Sequence, residues 1–280
     1  MYVVVGVAFG TAVALTSAAR GTQPWLIWAA LAISLTAASG AVFGYGLARW
    51  PEIVASFRPS RRRLAAYVAR GYSAPLGMFT VAVVLSIATE QDASLVTGGS
   101  IRGLLLVAFA GFATLPVVAG LGAIYERARM LDGEPLGERA ETVLALRRLL
   151  AGLLAALGSQ VTLATLALGA APRVRADQSG ADLSDQPDAV VLVFGAAWSA
   201  AIAIAYAPAA GALRTAARRL CRTTVPLAGI EAGGLPARAD ERHRLEQALG
   251  VEHSPLADIQ SGILVLSPLL ASAVSLFLPG

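Results

Sequence analysis

Residues 21–48, GTQPWLIWAALAISLTAASGAVFGYGLA, form the longest stretch of this chain without a charged side chain. The hydrocarbon core of a bilayer is about 30 Å thick, so a helix that crosses it needs roughly 20 apolar residues. Six further stretches share this property. We therefore predict an all-α, polytopic integral membrane bundle of about seven transmembrane helices, in residues 1–19, 21–48, 71–89, 103–125, 149–172, 189–213 and 259–280.

The composition excludes a soluble globular protein. The chain is 56% hydrophobic and only 14% charged, with a mean hydropathy of +0.65, which leaves too few polar residues to cover a water-exposed surface. We expect residues 1–280 to form a single transmembrane domain with three short cytoplasmic connections, at residues 49–70, 126–148 and 214–258.

The basic residues predict the orientation. All 22 are arginine, and 18 of them lie in those three connections. Positively charged residues accumulate in cytoplasmic loops, so the connections and the N-terminus are expected in the cytoplasm and the C-terminus outside. We therefore predict a multi-pass protein of the cell membrane, in a bacterium whose genome is rich in G and C.

Two of the seven spans have alternatives. Residues 1–19 resemble a signal peptide in length, but they lack its positively charged start, and we expect a retained helix. Residues 259–280 are interrupted by Pro268 and could be half-inserted. A six-span topology with both ends cytoplasmic therefore stays open.

Several kinds of chemistry find no support. There is no lysine for a Schiff base or a P-loop, and the single cysteine, Cys221, allows no intrachain disulfide. His243 and His253 lie in no zinc motif. No charged residue lies within a span, which argues against ion-coupled transport. We predict no catalytic, metal-binding or cofactor-binding residue, no cofactor and no nucleic-acid partner.

The candidate site residues are polar or helix-bending. Gln160 is the only large amide in the interior of a span, away from its ends, and with Thr162 and Thr165 it either joins helices or borders a polar pathway. The other candidates are three proline hinges and three arginines that would contact anionic lipids or only fix the topology; they are Pro116, Pro208, Pro268, Arg61, Arg62 and Arg63.

Small residues mark helix contacts. The pairs Gly6 and Gly10, and Gly40 and Gly44, each form a GxxxG motif, which allows two helices to approach closely within a bilayer. They serve either packing within the chain or self-association as a homo-oligomer.

Three functions fit the sequence. The first is a non-enzymatic integral membrane protein, either a pore or solute pathway or a membrane effector controlled by a cytoplasmic partner. The second is a structural or assembly subunit of a membrane complex. The third is an intramembrane enzyme that modifies lipid. The expected partners are the lipid bilayer and a membrane or cytoplasmic protein.

Overall fold

The computed structural model describes residues 1–17, 20–55, 57, 59–88, 101–179, 189–228 and 233–251. These residues fold into helices, and no strand occurs among them, which confirms the all-α prediction. The elements in chain order are α1 (Tyr2–Leu15), α2 (Gln23–Val54), α3 (Arg61–Ala88), α4 (Ile101–Met130), a 3-10 turn (Leu131–Gly133), α5 (Leu136–Ser179), α6 (Ala189–Thr224) and α7 (Leu235–Ala248).

Four helices within the described ranges are long and apolar enough to cross a membrane, and they indicate a membrane protein. Their bounds are Gln23–Val54, Arg102–Gly133, Leu136–Ala171 and Phe194–Thr224. The predicted count of seven spans is not confirmed. The helix α1 has 14 residues and is therefore about 21 Å long, which is shorter than the bilayer core. The last predicted span, with Pro268, lies outside the described residues.

The bundle has one main apolar core, built by α2, α4, α5 and α6. Fully buried side chains such as Leu121, Ile124 and Leu153 fill the space between these helices. The helix α3 packs against α4 and α6, and α1 packs along α2. Burial on several sides fits the continuous apolar runs of these helices, which lack a clear polar face.

Glycines set the close crossing of α1 and α2. A Cβ atom at Gly6 would lie 2.0 Å from the carbonyl oxygen of Thr36, and one at Gly40 would lie 2.3 Å from the carbonyl oxygen of Tyr2. Only hydrogen fits at such distances. Both GxxxG motifs thus lie in a contact within the chain, which agrees with the packing interpretation. Between the two helices, Gly21 has a φ of 93°, in the left-handed region.

The helices extend beyond the charge-free stretches. The predicted connection 49–70 is mostly helical, because α2 continues to Val54 and α3 begins at Arg61. Alanine and arginine are strong helix formers, so the helices do not end where the apolar residues end. The third connection contains α7, a polar helix.

The three basic connections meet at one end of the bundle, which we call the arginine-rich end and which comprises residues 49–55, 57, 59–63, 126–148 and 214–224. Contacts between Ser60 and Glu126, and between Asp132 and Arg219, join these segments directly. At the opposite end, Arg102 of α4 donates a hydrogen bond to the carbonyl oxygen of Thr16 at 2.7 Å. The charge asymmetry of the sequence is therefore an asymmetry of the folded bundle.

Candidate functional site

The helices α3 and α4 run antiparallel, and three contacts give their register. A Cβ atom at Gly71 would lie 3.2 Å from Val118 Cγ1, and one at Gly122 would lie 3.0 Å from the ring of Tyr67. Farther out, the backbone N–H of Ser60, just before α3, donates to Glu126 Oε2 at 3.0 Å. The start of α3 is therefore level with residue 126 of α4, and the region around residue 70 is level with residue 118.

A cavity of about 440 Å³ lies between these two helices at the arginine-rich end. Its lining residues recur at helical spacing, so each helix contributes one face. They are Arg63, Ala66, Tyr67 and Arg70 of α3 and Gly122, Tyr125, Glu126, Arg129 and Met130 of α4. The phenol of Tyr67 donates a hydrogen bond to the carbonyl oxygen of Ala205 in α6, which fixes the ring as a wall of the cavity. Burial raises the pKa of this phenol further above neutral pH.

The three candidate arginines occupy the first turn of α3, and all three are exposed. Only one of them, Arg63, lines the cavity; Arg61 and Arg62 do not. Positive side chains at a helix N-terminus oppose the helix dipole, so they do not stabilise this helix by themselves. Their position is better suited to contacts outside the protein.

Glu126 compensates for this unfavourable arrangement. It is only 4% exposed, and its Oε2 accepts the hydrogen bond from Ser60 at the N-terminus of α3. A carboxylate at this position satisfies a free backbone donor and complements the positive end of the helix dipole. Its second oxygen, Oε1, is buried and has no hydrogen-bond partner among the described residues. Glu126 therefore retains an unused acceptor beside the cavity.

A charged network links the turn after α4 with α5 and α6. Asp132 accepts hydrogen bonds from Arg139 at 3.0 Å and from Arg219 at 2.7 Å. The Arg139 side chain is 8% exposed, whereas that of Arg219 is 60% exposed. Arg127, also buried, pairs with Glu134. Asp132 lies in the 3-10 turn Leu131–Gly133, so this turn bridges α5 and α6.

A second cavity, of about 390 Å³, lies on the other side of α4, between α4 and α6. Asp132, Arg219 and the predicted hinge Pro208 line it, and it shares Tyr125 and Arg129 with the first cavity. Arg129 donates to the Tyr125 hydroxyl at 3.1 Å. This pair therefore separates the two cavities.

Gln160 lies far from these cavities, within the packed bundle. Its Nε2 donates to Ser39 Oγ of α2 at 3.1 Å and to the carbonyl oxygen of Ala110 in α4 at 2.7 Å. The residue is 1% exposed, and its two hydrogen bonds connect α5 to α2 and to α4. The amide therefore joins three helices. These bonds favour the interpretation of Gln160 as a helix contact over that of a pathway lining.

The remaining described candidates are two threonines, which donate hydrogen bonds within α5, and two prolines within α4 and α6. Thr162 Oγ1 donates to the carbonyl oxygen of Gly158 and Thr165 Oγ1 to that of Val161, in both cases one turn earlier. Pro116 lies within α4, where a Cβ atom at Gly46 of α2 would lie 3.0 Å from Pro116 Cβ. The two candidate hinges within the described residues, Pro116 in α4 and Pro208 in α6, lie in helices that continue through them.

The sequence analysis did not identify Glu126, Arg127 or Arg139 as special. All three are charged and buried, and burial of a charge depends on contacts from other parts of the chain. The sequence does contain one signal, because Arg129 follows Tyr125 and Glu126 by about one helical turn, at the end of the uncharged stretch of α4. Over the described ranges, no group of three histidine, cysteine, aspartate or glutamate residues could hold a metal ion.

No family model, no curated protein and no solved structure matches this chain. What the protein does must therefore be inferred from its own geometry.

Proposed function

We propose that the protein is a non-enzymatic, multi-pass protein of the cell membrane that acts as an effector through its arginine-rich end, which faces the cytoplasm. The observation that carries this proposal is the separation of polar groups along the bundle. Most charged side chains of the described residues, both cavities and the network around Asp132 lie at the arginine-rich end, whereas Arg102 lies at the opposite end.

The network supports an effector in a specific way. Asp132 connects the turn after α4 to α5 and α6 through two arginines, and Arg219 is exposed. A partner that engages Arg219 from the cytoplasm would compete with Asp132 for this arginine and so act on the position of α6 relative to α4. This is a local change of charge pairing that biases the packing of helices.

The occupied amide of Gln160 weighs against a solute pathway. A residue that lines a pathway must offer polar atoms to water or solute, whereas Gln160 Nε2 is bonded to α2 and α4. Its Oε1 is buried, and Gln160 lines neither of the two cavities described above. We therefore place the effector ahead of the pore in the proposal.

Replacing Gln160 by leucine is expected to lower the free energy of unfolding by about 0.6–2 kcal/mol, the range for hydrogen bonds between membrane helices. A matched control is Ser159→Ala, since Ser159 is exposed and donates only within α5, to Ala156. Unfolding in a titration with sodium dodecyl sulfate, followed by circular dichroism, measures both variants.

The same proteins in liposomes test the function. With a panel of ions and small solutes, wild-type protein and the Gln160→Leu variant should both give the flux of protein-free liposomes. Solute flux well above that background, altered by Gln160→Leu while the folded yield is unchanged, would contradict the effector proposal and favour the pathway.

A further inference from the structure

The cavity between α3 and α4 is lined by charged groups that form no ion pair within the described residues. Arg63 and Arg70 are exposed, and neither forms an ion pair with any described residue. Glu126 Oε1 is buried without a partner. Arg129 is turned to the hydroxyl of Tyr125. Two unpaired cations and one unused carboxylate oxygen thus line one space.

The depth of Arg70 is the unusual feature. It is adjacent to Gly71, which packs against Val118, and α4 has no charged residue from 103 to 125. Arg70 therefore lies level with an uncharged stretch of α4. A cation beside apolar surface is costly at this depth unless an anion or water reaches it. Within a bilayer, the available anion is the phosphate of a lipid.

The spacing along α3 agrees with a headgroup. Arg63 lies seven residues before Arg70, which is about 10 Å farther out along the helix axis. The polar headgroup layer on each side of a bilayer is about 5–8 Å thick, from the difference between its total and hydrocarbon thickness. By the register given above, Arg63 lies level with the end of the uncharged stretch of α4, and Arg70 lies about 10 Å inside it. The long Arg70 side chain can extend outward, so both guanidinium groups can contact one phosphate at the inner edge of the headgroup layer.

Glu126 specifies the outer part of the ligand. It is level with Ser60, beyond Arg63 and farther still from the hydrocarbon than Arg70. An unused carboxylate oxygen among arginines does not attract a second anion, but it accepts a hydrogen bond from an ammonium group. From the hydrocarbon outward, the order required is acyl chain, phosphate and then amine.

We propose that this cavity binds the headgroup of a phosphatidylethanolamine-type lipid from the cytoplasmic leaflet. Arg63 and Arg70 hold the phosphodiester, and Glu126 Oε1 accepts a hydrogen bond from the ammonium group. The volume of about 440 Å³ lies within the range of small-molecule sites. The leaflet rests on the proposed function, whereas the chemistry of the site does not.

The test uses purified full-length protein in a nonionic detergent, titrated by calorimetry with dihexanoyl phosphatidylethanolamine. One molecule should bind per chain. The Arg63→Gln/Arg70→Gln double variant should bind about tenfold more weakly or worse, because each arginine near a phosphate contributes about one kcal/mol or more. The matched control, Arg61→Gln/Arg62→Gln, removes the same charge from the same helix and should bind within about twofold of wild type.

The amine is tested with the choline analogue, which carries no N–H donor. Wild-type protein should bind dihexanoyl phosphatidylcholine several-fold more weakly than the ethanolamine lipid, and Glu126→Gln should abolish that preference. Equal losses in the two arginine double variants, or equal affinity of wild-type protein for the two lipids, would overturn the proposal.

Two further ligands identify the source of the headgroup. Glycerophosphoethanolamine, which lacks acyl chains, should bind more weakly than the lipid, and equal or tighter binding would overturn the lipid assignment. Dihexanoyl phosphatidylglycerol should also bind more weakly than the ethanolamine lipid. Tighter binding would show that the negative charge of the lipid alone determines its affinity, and it would overturn the ethanolamine assignment. Because the titration is made in detergent, it is independent of orientation in the cell and of any effector activity.

Discussion

Replacing Gly40 by alanine is expected to destabilise the protein by about 1–3 kcal/mol, the usual cost of overpacking a tight contact. The new Cβ atom would lie 2.3 Å from the carbonyl oxygen of Tyr2, a backbone atom that cannot rotate away. The helix α1 must then move off α2. Detergent unfolding followed by circular dichroism measures the change in the free energy of unfolding.

The control for this variant is Gly111→Ala. Gly111 is also within a helix, α4, but a Cβ atom there would meet nothing within 4 Å. Alanine is the better helix former, so this variant is expected to gain about 0.5–1 kcal/mol. If Gly40→Ala were as stable as Gly111→Ala, the close crossing of α1 and α2 would be refuted.

Replacing Asp132 by alanine is expected to destabilise the protein by about 3 kcal/mol. The change removes the only ion-pair partner of Arg139 within the described ranges, and that arginine is nearly fully buried. An uncompensated buried charge costs about 3–5 kcal/mol, and the low end applies because Asp132 itself is half exposed. The same unfolding titration measures the loss.

The matched control is Arg219→Gln, which removes the exposed partner of the same aspartate. Exposed ion pairs contribute about 0–1 kcal/mol, so this variant should remain close to wild type in stability. Equal losses in Asp132→Ala and Arg219→Gln would mean that burial of Arg139 does not determine the strength of this network.

The sequence predicted the helices well, because the absence of charge over about 20 residues is a direct requirement of the bilayer. Four of the predicted stretches lie in α2, α4, α5 and α6. Helix ends were predicted poorly. Helix formation by alanine and arginine continues past the hydrocarbon boundary, and nothing in the hydrophobic pattern records where it stops.

The candidate site was predicted only in part. Arg63 was among the candidates, since clustered arginines are visible in the sequence and Arg70 belongs to the same basic segment, whereas Glu126 was not singled out. Their roles depend on the register of α3 against α4, which places Ser60 beside Glu126 and residue 70 beside an uncharged stretch. Register between two helices is a tertiary property. Similarly, Gln160 allowed two interpretations until its partners on α2 and α4 were known.

The orientation of the arginine-rich end is the central claim, since both the effector role and the lipid leaflet depend on it. A single cysteine can be introduced by Ser60→Cys or by Ser179→Cys, each in a Cys221→Ala background. Intact cells that contain either variant are then treated with a membrane-impermeant thiol reagent. Ser60 is exposed beside the start of α3, and Ser179 ends α5 at the opposite end of the bundle. Labelling of Ser179→Cys in intact cells, and of Ser60→Cys only after permeabilisation, is the expected result. Labelling of Ser60→Cys but not of Ser179→Cys in intact cells would contradict it.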